Sequence, residues 1–262
     1  MSGTAFERYG RWAVVAGASA GLGAAFATAL ARRGLDLVLV ARQAALLEPL
    51  AERLRRLHGV EIRTLALDLA EPGAIDTLAR ATATLEVGLA IYNAAFAPLS
   101  AVIDTPVDAL ARVVDTNVRG PLLFARSFAP AMAVRRRGAI VLMSSLAGLV
   151  GTPRLAAYGA SKAFALTLAE SMWAELRPRG VDVVAVCAGA IRTPGYDRAA
   201  SGRAAPGTMS PEAVVARTLA ALGQGPRLVP GWINRVAAWL LGRLAPRRLA
   251  IAVMAGSTRG LS

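Results

Sequence analysis

Trp12-Ala13-Val14-Val15-Ala16-Gly17-Ala18-Ser19-Ala20-Gly21-Leu22-Gly23 runs an apolar strand straight into a glycine-rich turn, and the Ala-rich stretch from Gly21 to Arg33 behind it has helical length. Strand, glycine turn and helix in that order make an anion-binding device. The glycines let the backbone approach a pyrophosphate, and the helix N-terminus turns free N–H groups and a positive dipole end toward its charge. The spacing is G-x-x-x-G-x-G rather than G-x-G-x-x-G. Gly17, Ser19, Gly21, Leu22 and Gly23 are therefore candidate cofactor-binding residues.

Outward from this stretch the same alternation repeats. Leu35 to Ala41, Val60 to Leu67, Leu89 to Tyr92, Ala139 to Ser144 and Val181 to Cys187 read as buried strands. Ala44 to His58, Ala74 to Ala83, Val107 to Arg136 and Ala157 to Arg177 read as helices, with Gly34, Gly59 and Gly138 following Arg or His as helix ends do. Such a sequence predicts an α/β fold, a doubly wound (Rossmann) parallel sheet with helices on both faces, in one domain spanning 1–262. Two stretches depart from the rhythm. Residues 191–211, rich in Ala, Gly, Ser and Pro, are expected to form a loop or lid over the carboxyl edge of the sheet. Residues 231–262 are expected to form a helical extension with Trp232, Ile233, Val236, Ala237, Leu240 and Leu244 at helical spacing. That extension serves core packing or a subunit contact on one reading, and peripheral contact with a membrane or lipid-like substrate on the other.

Composition narrows the class. Hydrophobic residues make up 55% of 262 and charged residues 18%, which suits a well-buried core and excludes disorder. The net charge of +13 comes from 29 arginines and a single lysine, scattered rather than joined to a nucleic-acid-binding module, so no nucleic acid partner is expected. A lone Cys187 cannot form an internal disulfide and is expected to be a small buried residue. His58, beside Gly59, suits a helix end, and one His with one Cys leaves no N/S metal cluster. No apolar run reaches the length of a spanning helix, and the first residues lack a signal-peptide core, so a cytoplasmic protein is expected.

The single lysine decides the chemistry. Tyr158-Gly159-Ala160-Ser161-Lys162 places the ammonium one helical turn beyond a phenol, on the same face, where its charge favours the ionised tyrosine. A phenol titrates near about 10, so proton exchange near neutral pH needs such help. A chain that uses Arg everywhere else keeps its one Lys here. The end of the second strand, Val40-Ala41-Arg42, lacks the acid that an NAD site places against the ribose. Arg42, with Ser19, is matched instead to the 2′-phosphate of NADP, unless it is simply a surface arginine. Asp68, ending the third strand, is a partner for an adenine amino group or a helix cap.

With these motifs in place the chain, over at least residues 12 to 195, resembles the short-chain dehydrogenase/reductase family. The Gly17–Gly23 turn, Asn117 in Asn117-Val118-Arg119-Gly120, Ser145 thirteen residues before the tyrosine, and Tyr158 with Lys162 carry the resemblance in order. It implies an oxidoreductase that interconverts carbonyls and alcohols with a nicotinamide cofactor. Tyr158 is then the general acid in reduction and base in oxidation, and Ser145 holds the substrate oxygen. Lys162 binds the ribose and lowers the tyrosine pKa, and Asn117 helps hold a relay water. Asn93, Gly189 and Thr193 also match, Thr193 either for the nicotinamide carboxamide or as a loop cap. Ala16, the run Tyr92-Asn93-Ala94-Ala95, and Cys187-Ala188-Gly189 depart from the family pattern. The resemblance also implies a homodimer or homotetramer through the fourth and fifth helices.

The expected reaction is NADP(H)-dependent reduction of a ketone or aldehyde on a mostly apolar small molecule. Phe96, Leu99, Leu146, Leu149, Val150 and Leu155 either line its pocket or belong to the core. Rival readings are a non-catalytic NADP-binding regulator or scaffold, and a basic surface protein engaging an anionic partner. A constellation of Asn117, Ser145, Tyr158 and Lys162 is superfluous in either.

Overall fold

A computed structural model describes residues 7–193, 196 and 204–259. Seven parallel strands form one sheet in the order β3-β2-β1-β4-β5-β6-β7. The strands are β1 Trp12–Ala16, β2 Asp36–Ala41, β3 Ile62–Ala66, β4 Val87–Tyr92, β5 Gly138–Ser145, β6 Val181–Ala188 and β7 Arg227–Leu228. Between them run α1 Gly21–Ala31, α2 Ala44–His58, α3 Ala74–Thr82, α4 Val107–Val114, α5 Gly120–Arg135, α6 Ala156–Leu176 and α7 Pro211–Ala220. Two more helices follow, α8 Trp232–Trp239 and α9 Arg247–Arg259.

The sheet is buried on both faces, and its side-chain period of two divides the core. Ala13 and Val15 point to one side with Phe26, Leu30, Leu47 and Leu54 of α1 and α2 and with Val214 and Val215 of α7. Val14 and Ala16 point to the other, with Leu78 of α3, Phe124 and Phe128 of α5 and Leu166 of α6. The chain reverses direction across the sheet between β1 and β4, and there a crevice opens at the carboxyl edge.

Several local details differ from the expectations. Helix α7 and the two-residue β7, paired with β6 through Ala185 and Val186, were not foreseen. Strand β7 is too short to carry a periodic signal, whereas α7 does have a start signal in Ser210, which caps Ala213 N–H, and Pro211. The expected helix over Val107–Arg136 is interrupted by a π-helical turn, Asp115–Arg119, which joins α4 to α5. Left-handed Arg136, φ 51°, ends α5, so Gly138 is the first residue of β5 rather than a helix cap. Across the expected 191–211 loop, Ile191 and Met209 form a parallel bridge and Arg192 N–H donates to the Met209 carbonyl at 2.9 Å. Residues 194, 195 and 197–203 of that stretch lie outside the described residues. Among the described residues no helix is long and apolar enough to cross a membrane.

Candidate active site

The glycine turn sits at the crevice. Gly17 and Ala18 N–H both donate to the Val40 carbonyl, at 2.8 and 3.0 Å, which ties the end of β1 to the end of β2. Asn93 and Ala94 N–H donate to the Ala16 carbonyl from the other side, and the Asn93 amide reaches the Gly17 carbonyl at 2.9 Å. This closeness demands glycine. Gly17 has φ +83° and a Cβ there would lie 2.7 Å from Ala94 N, while a Cβ at Gly23 would lie 1.9 Å from the Gly17 carbonyl oxygen. Ala20 is the N-cap of helix α1 and its methyl cannot accept a hydrogen bond, so the N–H groups of the first turn have no side-chain cap. Leu22 contributes only that main chain, since its side chain belongs to the core.

A cleft of about 300 Å³ continues from the turn along the ends of β2 and β3, lined by Gly17, Ser19, Arg42, Asp68, Asn93 and Arg112 among others. Asp68 receives Ala70 N–H at 3.1 Å and forms an ion pair with Arg112. The expected helix cap is not found, since α3 opens from Gly73 and Asp68 instead closes the turn after β3, while its carboxylate lines the cleft. Burial pushes its carboxyl upward, but the Arg112 hydrogen bond, the Ala70 N–H and the charges of Arg112 and Arg42 outweigh that and hold it low. Arg112, which no sequence signal singled out, also lies over the Phe96 ring, 5.6 Å from its centroid. The glycine cradle and the helix start without a side-chain cap fit the phosphates of a dinucleotide, and the exposed Arg42 lines the same cleft.

Next along the same edge, outside the lining of that cleft, stand the ends of β5 and the start of α6. Tight packing places them: a Cβ at Gly148 would lie 2.7 Å from Ala163 N, and one at Gly159 would lie 2.9 Å from the Ala147 carbonyl oxygen. Ser144 is buried and donates to the Lys162 carbonyl at 2.7 Å, which leaves Ser145 as the serine at the open face. The Ser145 hydroxyl accepts Ala147 N–H at 3.2 Å and lies close enough to Tyr158 to act on its titration. Lys162, only 5% exposed, donates from Nζ to the Met143 carbonyl at 2.8 Å and lies 5.3 Å from the Tyr158 ring centroid.

The electrostatics correct one expectation. Burial raises the Tyr158 pKa, and the one opposing influence is the neighbouring Ser145 hydroxyl, so the lysine does not reverse the phenol's preference for its proton in this structure. The reason is the same burial. It lowers Lys162 to about 8, and the ammonium is turned to the Met143 carbonyl rather than to the phenol oxygen.

Asn117 has a structural part that the sequence did not announce. It sits in the π-helical turn, and both its donor hydrogens are committed, to the Phe96 carbonyl at 2.8 Å and to Ser161 Oγ at 3.1 Å. Its Oδ1 accepts Phe96 N–H at 2.8 Å. The side chain therefore braces the loop after β4 against α6. Ser161, missed in the sequence, completes the brace by donating to the Tyr158 carbonyl at 2.7 Å. Tyr92, one of the departures, has a local reason: its hydroxyl donates to the Thr116 carbonyl in the π-helical turn at 2.6 Å. A Cβ at Gly120 would lie 2.0 Å from that hydroxyl.

Two further candidates also reach the region. Thr193 lies against the turn, where a Cβ on Gly21 would come within 2.9 Å of its methyl, and its hydroxyl accepts Tyr196 N–H at 3.2 Å as a loop cap does. Gly189 faces Asn234 of α8, whose Oδ1 would lie 2.7 Å from a Cβ there. Of the apolar candidates, Val150 is buried, and Leu146 and Leu149 pack against the α6 side of the core.

With this geometry in view, a comparison with protein-family models matches residues 11–203 to "short chain dehydrogenase". The chain belongs to the short-chain dehydrogenase family. Among curated relatives of this dehydrogenase, the very-long-chain 3-oxoacyl-CoA reductase of Podospora anserina is 41% identical over 192 residues, 70% of this chain. The match spans 56% of that reductase, so the chain covers little more than half the relative's length. A solved structure from work on 7beta-hydroxysteroid dehydrogenase stereoselectivity superposes with TM-score 0.89 at 28% identity, over 95% of this chain and 98% of its own. A short-chain dehydrogenase of Sphingobium yanoikuyae, solved in complex with NADPH, gives TM-score 0.78 at 32% identity, over 84% of this chain and 88% of its own. The chain thus shares the family and the fold of these proteins.

Proposed function

We propose that the chain is an NADP(H)-dependent reductase of a ketone or aldehyde on an apolar substrate, with Tyr158 as the proton donor. The observation that carries this reading is the placing of Ser145 beside Tyr158, with Lys162 next to the ring, at the crevice edge one strand along from a cleft lined by Arg42. A bound nicotinamide cofactor supplies the hydride. The chain supplies the rest. Reduction builds negative charge on the carbonyl oxygen, and the hydroxyls of Ser145 and Tyr158 are donors placed together to receive it. A phenol whose pKa burial raises keeps its proton at neutral pH, as a general acid for reduction must. Lys162, at about 8, is mostly protonated at neutral pH, and its charge beside the ring favours the phenolate left after transfer.

Cofactor preference rests on Arg42. It stands at the end of β2 where an acid would repel a 2′-phosphate, and a guanidinium there pairs with one. The Sphingobium structure, holding NADPH, supports the same choice. For the substrate, the Podospora relative is named for a very-long-chain 3-oxoacyl thioester and the structural neighbour for a hydroxysteroid, so an apolar skeleton bearing a carbonyl is the class to test. Exposed Val107, Val114, Leu122 and Leu123 on α4 and α5 are consistent with self-association through those helices. The proposal is tested by titrating the purified chain with NADPH and NADH by nicotinamide fluorescence. Long-chain 3-oxoacyl thioesters and steroid ketones are then added while NADPH absorbance is followed. Tighter NADPH binding and its oxidation by one of these carbonyl classes is expected. Failure to bind either cofactor overturns it.

A further inference from the structure

Residues 213–262 contain seven arginines and no aspartate or glutamate. Within them, α8 and α9 hold to the rest of the chain by a narrow set of contacts. Asn234, buried on α8, donates to the Gly207 and Pro230 carbonyls at 3.0 and 2.9 Å. Thr258 on α9 donates to the Pro153 carbonyl at 3.1 Å and accepts at its own carbonyl from Arg154 at 2.9 Å. The other side of the helical pair is open and apolar. Trp232, Val236 and Trp239 stand at i, i+4 and i+7, opposite buried Asn234 and Ala238, and are 68%, 47% and 53% exposed. Further along the same segment Leu244, Leu249 and Val253 are each at least half exposed, and Arg235, Arg243 and Arg248 are exposed among these apolar residues.

We infer that this face docks on an anionic lipid surface. Exposed tryptophans and aliphatics interleaved with arginines, without one acid, are what an amphipathic helix lying in a headgroup layer presents. Charge selects this occupant over a second copy of the chain, because a two-fold contact through the patch would set arginine against arginine. The segment beneath adds no counter-charge: residues 139–169, which include the loop under α9, carry no acid either. The patch lies beside the crevice edge, since Arg247 donates to the Leu149 carbonyl at 3.1 Å just beyond Ser145, and Asn234 abuts Gly189 after β6. Docking there turns the mouth of the site toward the bilayer, from which an apolar substrate could enter. That last consequence rests on the proposed function, whereas docking itself does not.

The experiment is flotation of the full chain, without cofactor or substrate, with vesicles of phosphatidylcholine alone and of equal phosphatidylcholine and phosphatidylglycerol. The chain is expected to float with the mixed vesicles and not the neutral ones, several-fold less at raised salt. Trp232→Ser with Trp239→Ser is expected to weaken partition at least about tenfold, and Arg235→Gln with Arg243→Gln and Arg248→Gln to remove the preference for anionic lipid. These side chains are exposed, so the parental melting temperature is expected to persist. Brominated lipid is expected to quench tryptophan emission in the parent chain, a readout that needs no variant. Absence of flotation with mixed vesicles, absence of quenching, or flotation unchanged in the tryptophan variant overturns the inference. So does a lipid-free shift to a smaller assembly in that variant, which would assign the patch to a second copy.

Discussion

The amide of Asn117 donates to the Ser161 hydroxyl at 3.1 Å, joining the π-helical turn before α5 to the helix that carries Tyr158 and Lys162. Because the same side chain grips the main chain of Phe96, three segments that meet only in the folded state are fixed against one another. Catalytic geometry within a fraction of an ångström requires such bracing.

Removing the brace has a defined cost. Asn117→Ala leaves the Phe96 N–H and carbonyl and the Ser161 hydroxyl without their partner, and is expected to lower stability by about 1–3 kcal/mol. In urea unfolding the midpoint falls, and kcat falls while cofactor affinity holds. A variant with parental stability and kcat would show the contacts to be incidental.

The buried lysine couples stability to pH. Its folded pKa, lowered to about 8 by burial, lies below the unfolded value of 10.5, so between these the unfolded chain binds more protons and stability rises with pH. The cost of charging Lys162 is fully present below pH 8. Between pH 8 and 10 the parent is expected to gain about 2–3 kcal/mol from this group, and Lys162→Met to lose that slope. Above pH 10 Tyr158 acts in the opposite sense, because its raised pKa makes the unfolded chain lose its proton first. Denaturant titrations of both proteins across this window check the sign, and equal slopes would contradict it.

Cofactor choice is expected to follow the charge at the end of β2. Arg42→Asp removes a charge-assisted contact and adds repulsion, so NADPH affinity is expected to fall about tenfold to a hundredfold while NADH affinity changes little. Fluorescence titration with both cofactors reads the ratio. An unchanged ratio would detach Arg42 from the phosphate.

The glycine turn tolerates no side chain at its second contact. A Cβ at Gly23 stands 1.9 Å from the Gly17 carbonyl oxygen, so Gly23→Ala must move main chain beneath the pyrophosphate region. A loss of NADPH affinity of at least about tenfold is expected, with a lower melting temperature. Parental binding would place the phosphates elsewhere.

Much of this arrangement was legible in the sequence because its signals are local. The strand, turn and helix around Gly17, the four-residue step from Tyr158 to Lys162, and the use of lysine once among thirty basic residues each need only neighbours to be read. What escaped depends on contacts between distant segments. Arg112 has no pattern that announces its pairing with Asp68, and Ser161 reads as a helix surface residue until α6 meets the π-helical turn. Tyr92 looks like a flaw in a family motif until the missing side chain at Gly120 makes room for its hydroxyl. The expectation for Lys162 erred where local reasoning must: spacing puts the ammonium beside the phenol, but burial sets both titrations.

The central claim is that Tyr158 delivers the proton in a carbonyl reduction, and Tyr158→Phe tests it most directly. Single-turnover oxidation of bound NADPH by an accepted ketone is followed in parent and variant, with NADPH affinity measured in both. The account predicts parental affinity and a rate lower by about a hundredfold to ten-thousandfold in the variant. A phenylalanine variant that binds NADPH and turns over at the parental rate would contradict it.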